Sequence, residues 1–181
     1  TETGELLTLC YDKEQQVVAW SKQKMAESGT GASANTVGLV ESVARTTDTN
    51  NDNIWILVKR KVGTADKYFV EMIVDEFEVV DDHKNAFFVD CGLSGYSSGG
   101  ATIWTGLDHL AGEAVYALAD SVQYGPFTVG NVTGGVGITL AASANDVNIG
   151  LKYKTVVETV PLNVSQGLEP RAKLKRIYSA F

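Results

Sequence analysis

Residues Thr105 to Asp120 read TGLDHLAGEAVYALAD, and this stretch decides the fold. The segment from Gly106 to Leu110 predicts a short turn that closes at Gly112 and leads directly into a strand. From Ala114 to Ala119 the apolar side chains fall on both faces of that strand. A strand that is apolar on both faces is typical of one buried on both faces. We therefore expect Ala114 to Ala119 to be a central strand of a small β-domain.

The composition around this stretch is that of a globular protein with many turns. Of the 181 residues 44% are hydrophobic and 20% are charged, which excludes a disordered chain. The 18 glycines separate short apolar runs, and this pattern indicates many strands. The net charge of −7 argues against a DNA-binding surface, although an acidic conduit would let DNA slide. Ordinary solubility is the simpler explanation of the same charge.

The two cysteines, Cys10 and Cys91, each lie within or at the end of an apolar strand pattern. We expect buried, reduced thiols there, because the spacing indicates neither a disulfide framework nor a zinc site. No apolar run is long enough for a transmembrane helix, and no signal peptide is visible. The sequence begins at a threonine almost directly in a strand, so we expect an interior segment of a longer polypeptide.

The first part of the chain predicts an antiparallel meander, either one sheet or two successive blades of something larger. Apolar runs with period-two alternation are separated by polar turns throughout this part. The predicted strands are Leu6–Tyr11, Val17–Lys22, Val37–Ala44, Ile54–Arg60 and Tyr68–Val74.

The second part predicts a small β-barrel or sandwich, because its strands are short and regularly spaced. We interpret Asp75–Asn85 as a loop, and Gly92–Gly100 as a Gly/Ser loop at the boundary between two structural units. Gln166–Pro170 predicts a linker, and Lys173–Phe181 an edge strand that lacks its continuation. The other predicted strands are Phe87–Cys91, Phe127–Val129, Gly137–Leu140, Val147–Leu151 and Tyr153–Val160.

These elements give an all-β chain with three parts. Residues 1–86 form the antiparallel meander, and residues 87–165 form the barrel or sandwich domain. Residues 166–181 form a linker and a strand that returns to the first domain.

The segment Gly95-Tyr96-Ser97-Ser98-Gly99 matches the G-x-S-x-G nucleophile elbow of serine hydrolases. An elbow requires a strand, a sharp turn and a helix, but the residues after Gly99 have a β-like pattern. Only His83 and His109 could act as the base, and the acid would have to be Asp108. We therefore favour a Gly/Ser loop over a serine hydrolase and predict no catalytic residue.

Two acidic stretches match metal sites only in part. Asp48–Asn53 resembles the opening of a calcium loop, but Asn53 stands where glycine is needed and Lys59 where a bidentate glutamate is needed. Asp81-Asp82-His83 places a histidine beside two carboxylates without further ligands. Solvated loops explain both stretches, so we predict neither a metal site nor a cofactor.

The three tryptophans and the histidine of the central stretch also have two interpretations each. Trp20, Trp55 and Trp104 are compatible with a sugar-binding platform, although half-buried core positions are more common for tryptophans spaced along strands. For His109 we expect a hydrogen bond that closes its own turn.

The segment Leu7 to Ser21, LTLCYDKEQQVVAWS, resembles tail nozzle (tail tubular protein B-like) proteins of short-tailed bacteriophages. The similarity continues in order over nearly the whole chain, and the chain departs from it at Thr30–Asn35, which adds a loop. The further similar segments are Val40–Ala44, Ile54–Arg60, Tyr68–Glu71, Phe87–Leu93, Gly106–Glu113, Leu118–Asp120, Val147–Tyr153 and Lys175–Ile177.

The resemblance implies a structural protein of the virion, not an enzyme. In such proteins the first part contributes to a β-propeller-like platform, and the second part is an inserted β-domain. The resemblance further implies a sixfold homo-oligomeric ring in the phage tail, assembled in the host cytoplasm. Its partners would be portal and adaptor proteins and tail fibres, with viral DNA passing through transiently. A carbohydrate- or receptor-binding β module of a phage particle is the alternative.

Overall fold

The computed structural model describes residues 4–47, 52–74 and 83–156, and this part of the chain is all-β. All paired strands are antiparallel, and the described residues contain no helix longer than a three-residue 3-10 turn. The strands are β1 Leu6–Asp12, β2 Val17–Gln23, β3 Glu27–Ser28, β4 Thr36–Val37, β5 Leu39–Thr47, β6 Asp52–Val62, β7 Ala65–Ile73, β8 Asp90–Thr105, β9 Ala114–Ala119, β10 Val122–Thr128, β11 Gly130–Val132 and β12 Gly135–Leu151.

The strands form four sheets, and none of those in the described ranges closes into a barrel. β1 and β2 form a hairpin, β3 and β4 form a short ribbon, and β5, β6 and β7 form a three-stranded sheet. The remaining strands form one five-stranded sheet. The barrel is therefore not observed here, and the meander is divided among three sheets.

Strand β9 has the predicted bounds and the predicted central position. It pairs with β10 on one side and with β12 on the other. Val115, Ala117 and Ala119 are buried, while Tyr116 and Leu118 on the opposite face are half-buried. The two-residue turn to β10 has positive φ at both residues, 45° at Asp120 and 70° at Ser121, as in a type I′ hairpin.

The longest strand, β12, organises the five-stranded sheet. It pairs with β8 from Gly137 to Leu151 with register shifts, while its other edge pairs first with β11 and then with β9. The main hydrophobic core lies on this sheet, and Ala26 of the first part joins it. The buried core side chains are Trp104, Leu107, Leu110, Val115, Ala117, Ala119, Val129, Ile138, Leu140, Ala144, Val147, Ile149 and Leu151.

The predicted strands of the first part are confirmed with shifts of a few residues at their ends. The predicted break at Gly38 separates β4 from β5. The predicted strand from Phe87 begins only at Asp90, and Tyr153 to Val156 are not in a strand. Two predicted strands, Gly137–Leu140 and Val147–Leu151, belong to the single strand β12. Register shifts in its pairing with β8 accommodate the residues between them, so the strand continues without a break.

The predicted Gly/Ser loop at Gly92–Gly100 is wrong, because these residues lie inside strand β8. Two of its glycines serve close packing and not a turn. A Cβ at Gly92 would lie 2.7 Å from the carbonyl oxygen of Ile149, and one at Gly95 would lie 2.8 Å from the Trp104 ring. The division into domains stays a prediction, and residues 157–181 lie outside the described ranges.

A buried charged joint and two exposed apolar faces

Strand β6 brings a charged side chain into the interior of the protein. Its inward positions hold Ile56, Val58, Arg60 and Val62, all of which are buried. The Arg60 side chain has no exposed surface, so its guanidinium depends entirely on partners from the protein.

The guanidinium of Arg60 binds two carboxylates and a backbone carbonyl. Nε and Nη2 donate to the two oxygens of Glu71 on β7, at 2.8 and 2.9 Å. Nη2 also donates to Oδ1 of Asp90 at 2.8 Å, and Nη1 donates to the carbonyl oxygen of Ala26. Because Asp90 begins β8, this cluster fastens the three-stranded sheet to the five-stranded sheet.

The surroundings favour the charged form of the Arg60 guanidinium and the neutral form of the neighbouring Cys91 thiol. Burial by itself would lower the pKa of Arg60, but the hydrogen bonds to Glu71 and the charge of Asp90 outweigh it and raise that pKa. Burial, together with the charge of Glu71, raises the pKa of the Cys91 thiol. A thiol with a raised pKa is a poor nucleophile at neutral pH, and Cys91 is a free, half-buried thiol.

Glu113 makes a second link between the same two parts of the protein. It precedes β9, and its residue is only 2% exposed. Its Oε2 accepts the backbone N–H of Gly29 at 2.8 Å, and its Oε1 accepts that of Gly63 at 2.7 Å. Both carboxylate oxygens are therefore used to hold turns of the first part of the chain.

The sequence did not point to Arg60 or Glu113 as important residues. The one sequence feature that could have identified Arg60 is its charge at an inward position of a strand whose other inward positions are apolar. Glu113 carries no such signal, because it follows a turn and its partners lie 84 and 50 residues away in the sequence.

The serine of the G-x-S-x-G motif does not have the geometry of a nucleophile elbow. Ser97 lies within β8, which continues for eight residues to Thr105, so no turn and helix follow it. The hydrogen bond of His109 does not close its own turn, as predicted, but reaches β8: its Nε2 lies 3.1 Å from the carbonyl oxygen of Cys91. Because a carbonyl oxygen only accepts, Nε2 carries the proton in this contact.

No cluster of three metal-ligating side chains occurs among the described residues. In the stretch that resembles the opening of a calcium loop, Asp52 lies at the start of β6 and pairs with Arg45 at 2.6 Å. Residues 48–51 and 81–82 of the two acidic stretches lie outside the described ranges. His83 begins a short 3-10 turn.

The hairpin of β1 and β2 exposes an apolar face, which we call the hairpin stripe. Leu9 lies opposite Trp20, and Tyr11 lies opposite Val18, so these side chains share one face. Tyr11 and Trp20 are 66% and 67% exposed. Cys10, on the other face, is also exposed, so the prediction of a buried thiol is wrong at this position. The hairpin stripe consists of Leu7, Leu9, Tyr11, Val18 and Trp20.

The three-stranded sheet exposes a second apolar face, which we call the outer face. It lies on the side of β6 and β7 opposite to Arg60, where Trp55 pairs with Met72 and Leu57 with Val70. Val70 is 71% exposed and Tyr68 is 60% exposed. The outer face consists of Trp55, Leu57, Tyr68, Val70 and Met72.

The tryptophans therefore divide between exposed and buried positions. Trp20 is exposed, while Trp104 is buried in the core and donates to the carbonyl oxygen of Ala101. Trp55 is half-buried, and its Nε1 donates to Oγ1 of Thr46.

None of the described residues forms a helix long and apolar enough to cross a membrane. No protein-family model matches the sequence, and no curated protein matches it significantly.

Proposed function

We propose that this protein is a structural component of a bacteriophage tail, part of the nozzle ring below the portal and adaptor. In this role it forms part of the DNA ejection conduit and of the platform that anchors fibres, and no residue is catalytic. The family resemblance of Leu7 to Ser21 and the later segments supports this role. Residues 1–86 would belong to a propeller-like platform, and residues 87–165 would form the inserted β-domain.

The observation that carries the proposal is the pair of exposed apolar faces, the hairpin stripe and the outer face. Exposed apolar patches of several side chains are typical of protein–protein contacts. A two-stranded hairpin is marginally stable alone, so the hairpin stripe requires a covering layer in the assembled protein. A subunit of a closed ring provides such a layer through its neighbours.

The net charge of −7 supports a conduit that does not hold DNA. Proteins bind DNA without sequence preference mainly by neutralising phosphates with lysine and arginine. An acidic subunit repels the phosphate backbone and lets it pass.

Electron microscopy of the native particle tests this proposal directly. We expect labelled antibody against this chain to mark a closed ring that is coaxial with a phage tail. A particle in which the chain occurs as a discrete monomer or trimer, away from the tail axis, would contradict the nozzle role.

A carbohydrate- or receptor-binding module is the second candidate, and the exposure of Trp20 favours it. Aromatic side chains on a hairpin can stack on sugar rings, and Tyr11 lies near Trp20 on the same face. A glycan array separates the candidates: a binding module retains specific glycans and loses them in Trp20→Ala, whereas a nozzle subunit retains none.

A further inference from the structure

The two apolar faces differ in shape, and this difference bears on how copies of the chain could meet. The hairpin stripe is narrow and carries two exposed aromatic side chains, Tyr11 and Trp20. The outer face lies on a three-stranded sheet and is therefore wider, and it includes Met72, whose flexible thioether adapts to a partner's shape. A closed ring built from one kind of chain needs two different patches that fit each other.

We propose that the hairpin stripe of one copy docks on the outer face of the next copy. The occupant of each face is therefore a second copy of this chain, in a head-to-tail contact. This inference rests on the proposed ring, because only a heterologous contact uses two distinct faces.

The exposed area of the hairpin stripe matches what such a contact needs. Large aromatic side chains offer about 200 Å² each, so the exposed two thirds of Tyr11 and Trp20 contribute roughly 130 Å² each. With Leu7, Leu9 and Val18 the stripe offers on the order of 500 Å² of apolar surface. A stable interface buries about 800 Å² per partner, of which slightly more than half is apolar.

Ion-paired charged side chains border both faces, and at each border two lysines share one carboxylate. Beside the stripe, Lys22 and Lys24 pair with Glu5 at 3.1 and 3.4 Å. Beside the outer face, Lys59 and Lys61 pair with Asp66 at 3.3 and 2.7 Å. An apolar centre with a rim of paired charges is the usual anatomy of a protein–protein interface.

A complementation experiment with two charged variants tests the proposal. Trp20→Lys places a charge in the stripe and leaves the outer face intact, while Val70→Lys does the reverse. Both positions are mostly exposed, so neither change removes buried packing. Gln123→Lys, at an exposed position on β10, is the matched control for adding one charge elsewhere.

Analytical ultracentrifugation of the 181-residue chain gives the readout. We expect the unmodified chain and Gln123→Lys to self-associate, and each face variant alone to lose at least tenfold in affinity. An equimolar mixture of Trp20→Lys and Val70→Lys should form a dimer and stop there, because one intact stripe meets one intact outer face. Circular dichroism of each variant verifies that its fold is retained.

Three outcomes would overturn the proposal. A mixture that stays monomeric would mean that the two faces do not meet each other. If a face variant assembles like the unmodified chain, the face that carries the substitution is not part of the interface. If the unmodified chain is monomeric at its highest soluble concentration, the two apolar faces are covered by residues 157–181 or by another protein and not by a second copy. These results are independent of the tail role, which depends on where the chain lies in the particle.

Discussion

Arg60 carries its charge at a position where the alternation of β6 favours an apolar side chain. Its neighbours on that face are Val58 and Val62, and its guanidinium is held by Glu71 and Asp90. Buried ion pairs contribute little over apolar packing, but removing one partner leaves an uncompensated charge. The joint between the sheets is therefore sensitive to the loss of this one side chain.

We expect Arg60→Met to lower the free energy of unfolding by about 3–5 kcal/mol, because it leaves Glu71 and Asp90 facing each other without a cation. Urea denaturation followed by circular dichroism measures this change. Arg45→Met is the matched control, since Arg45 also pairs with an aspartate in this sheet but is 65% exposed. An equal loss in both variants would contradict a special role of the buried cluster.

Asp120 makes the stability of the β9–β10 turn depend on pH. Its carboxylate oxygens accept the backbone N–H groups of Asp146 and Asn145, both at 2.9 Å. These hydrogen bonds lower the pKa of Asp120 below its ordinary value of 3.8. A lowered folded-state pKa stabilises the folded protein above pH 3.8, and this contribution is lost as the pH falls through the folded-state pKa.

We therefore expect Asp120→Asn to be less stable than the parent at pH 6, and the difference to shrink below pH 3.8. Asparagine tolerates the positive φ of 45° at this position, so the turn itself is preserved. Thermal denaturation of both proteins across this pH range measures the effect. A difference that is constant with pH would show that the carboxylate is not the cause.

At the scale of elements, β8 depends on glycines that let its neighbours approach. We expect Gly95→Ala to destabilise the protein by about 1–3 kcal/mol, because the added methyl group meets the buried ring of Trp104 at 2.8 Å. Gly99→Ala is the matched control, because a Cβ there meets nothing within 4 Å. Denaturant midpoints of the two variants compare the positions, and equal midpoints would contradict the packing role of Gly95.

The hairpin and the three-stranded sheet were predictable because their strands alternate regularly and end at polar turns. Strand β9 was predictable because it is apolar on both faces. The long strands β8 and β12 were missed because small and polar residues interrupt their apolar pattern, and register shifts absorb those interruptions. The charged joint was missed because its partners come from distant parts of the sequence, where local patterns carry no information.

At the scale of the whole molecule, contacts between side chains that are distant in the sequence link the two parts of the described chain. Besides the Arg60 cluster, Phe69 meets the His109 ring edge-on, with 6.3 Å between the ring centroids. Glu113 binds the turns at Gly29 and Gly63. Because both turns belong to the first part of the chain, Glu113 fixes how that part sits on the five-stranded sheet.

We expect Glu113→Gln to lower the free energy of unfolding by about 1–3 kcal/mol. A glutamine has only one side-chain oxygen, so it leaves one of the two partly buried N–H groups without an acceptor. Hydrogen exchange should then accelerate at Gly29 or Gly63 while the amides of β9 and β12 remain protected. Glu27→Gln, at an exposed glutamate, should change neither quantity. Uniformly faster exchange throughout the protein would mean that Glu113 supports the whole fold and not the joint between its two parts.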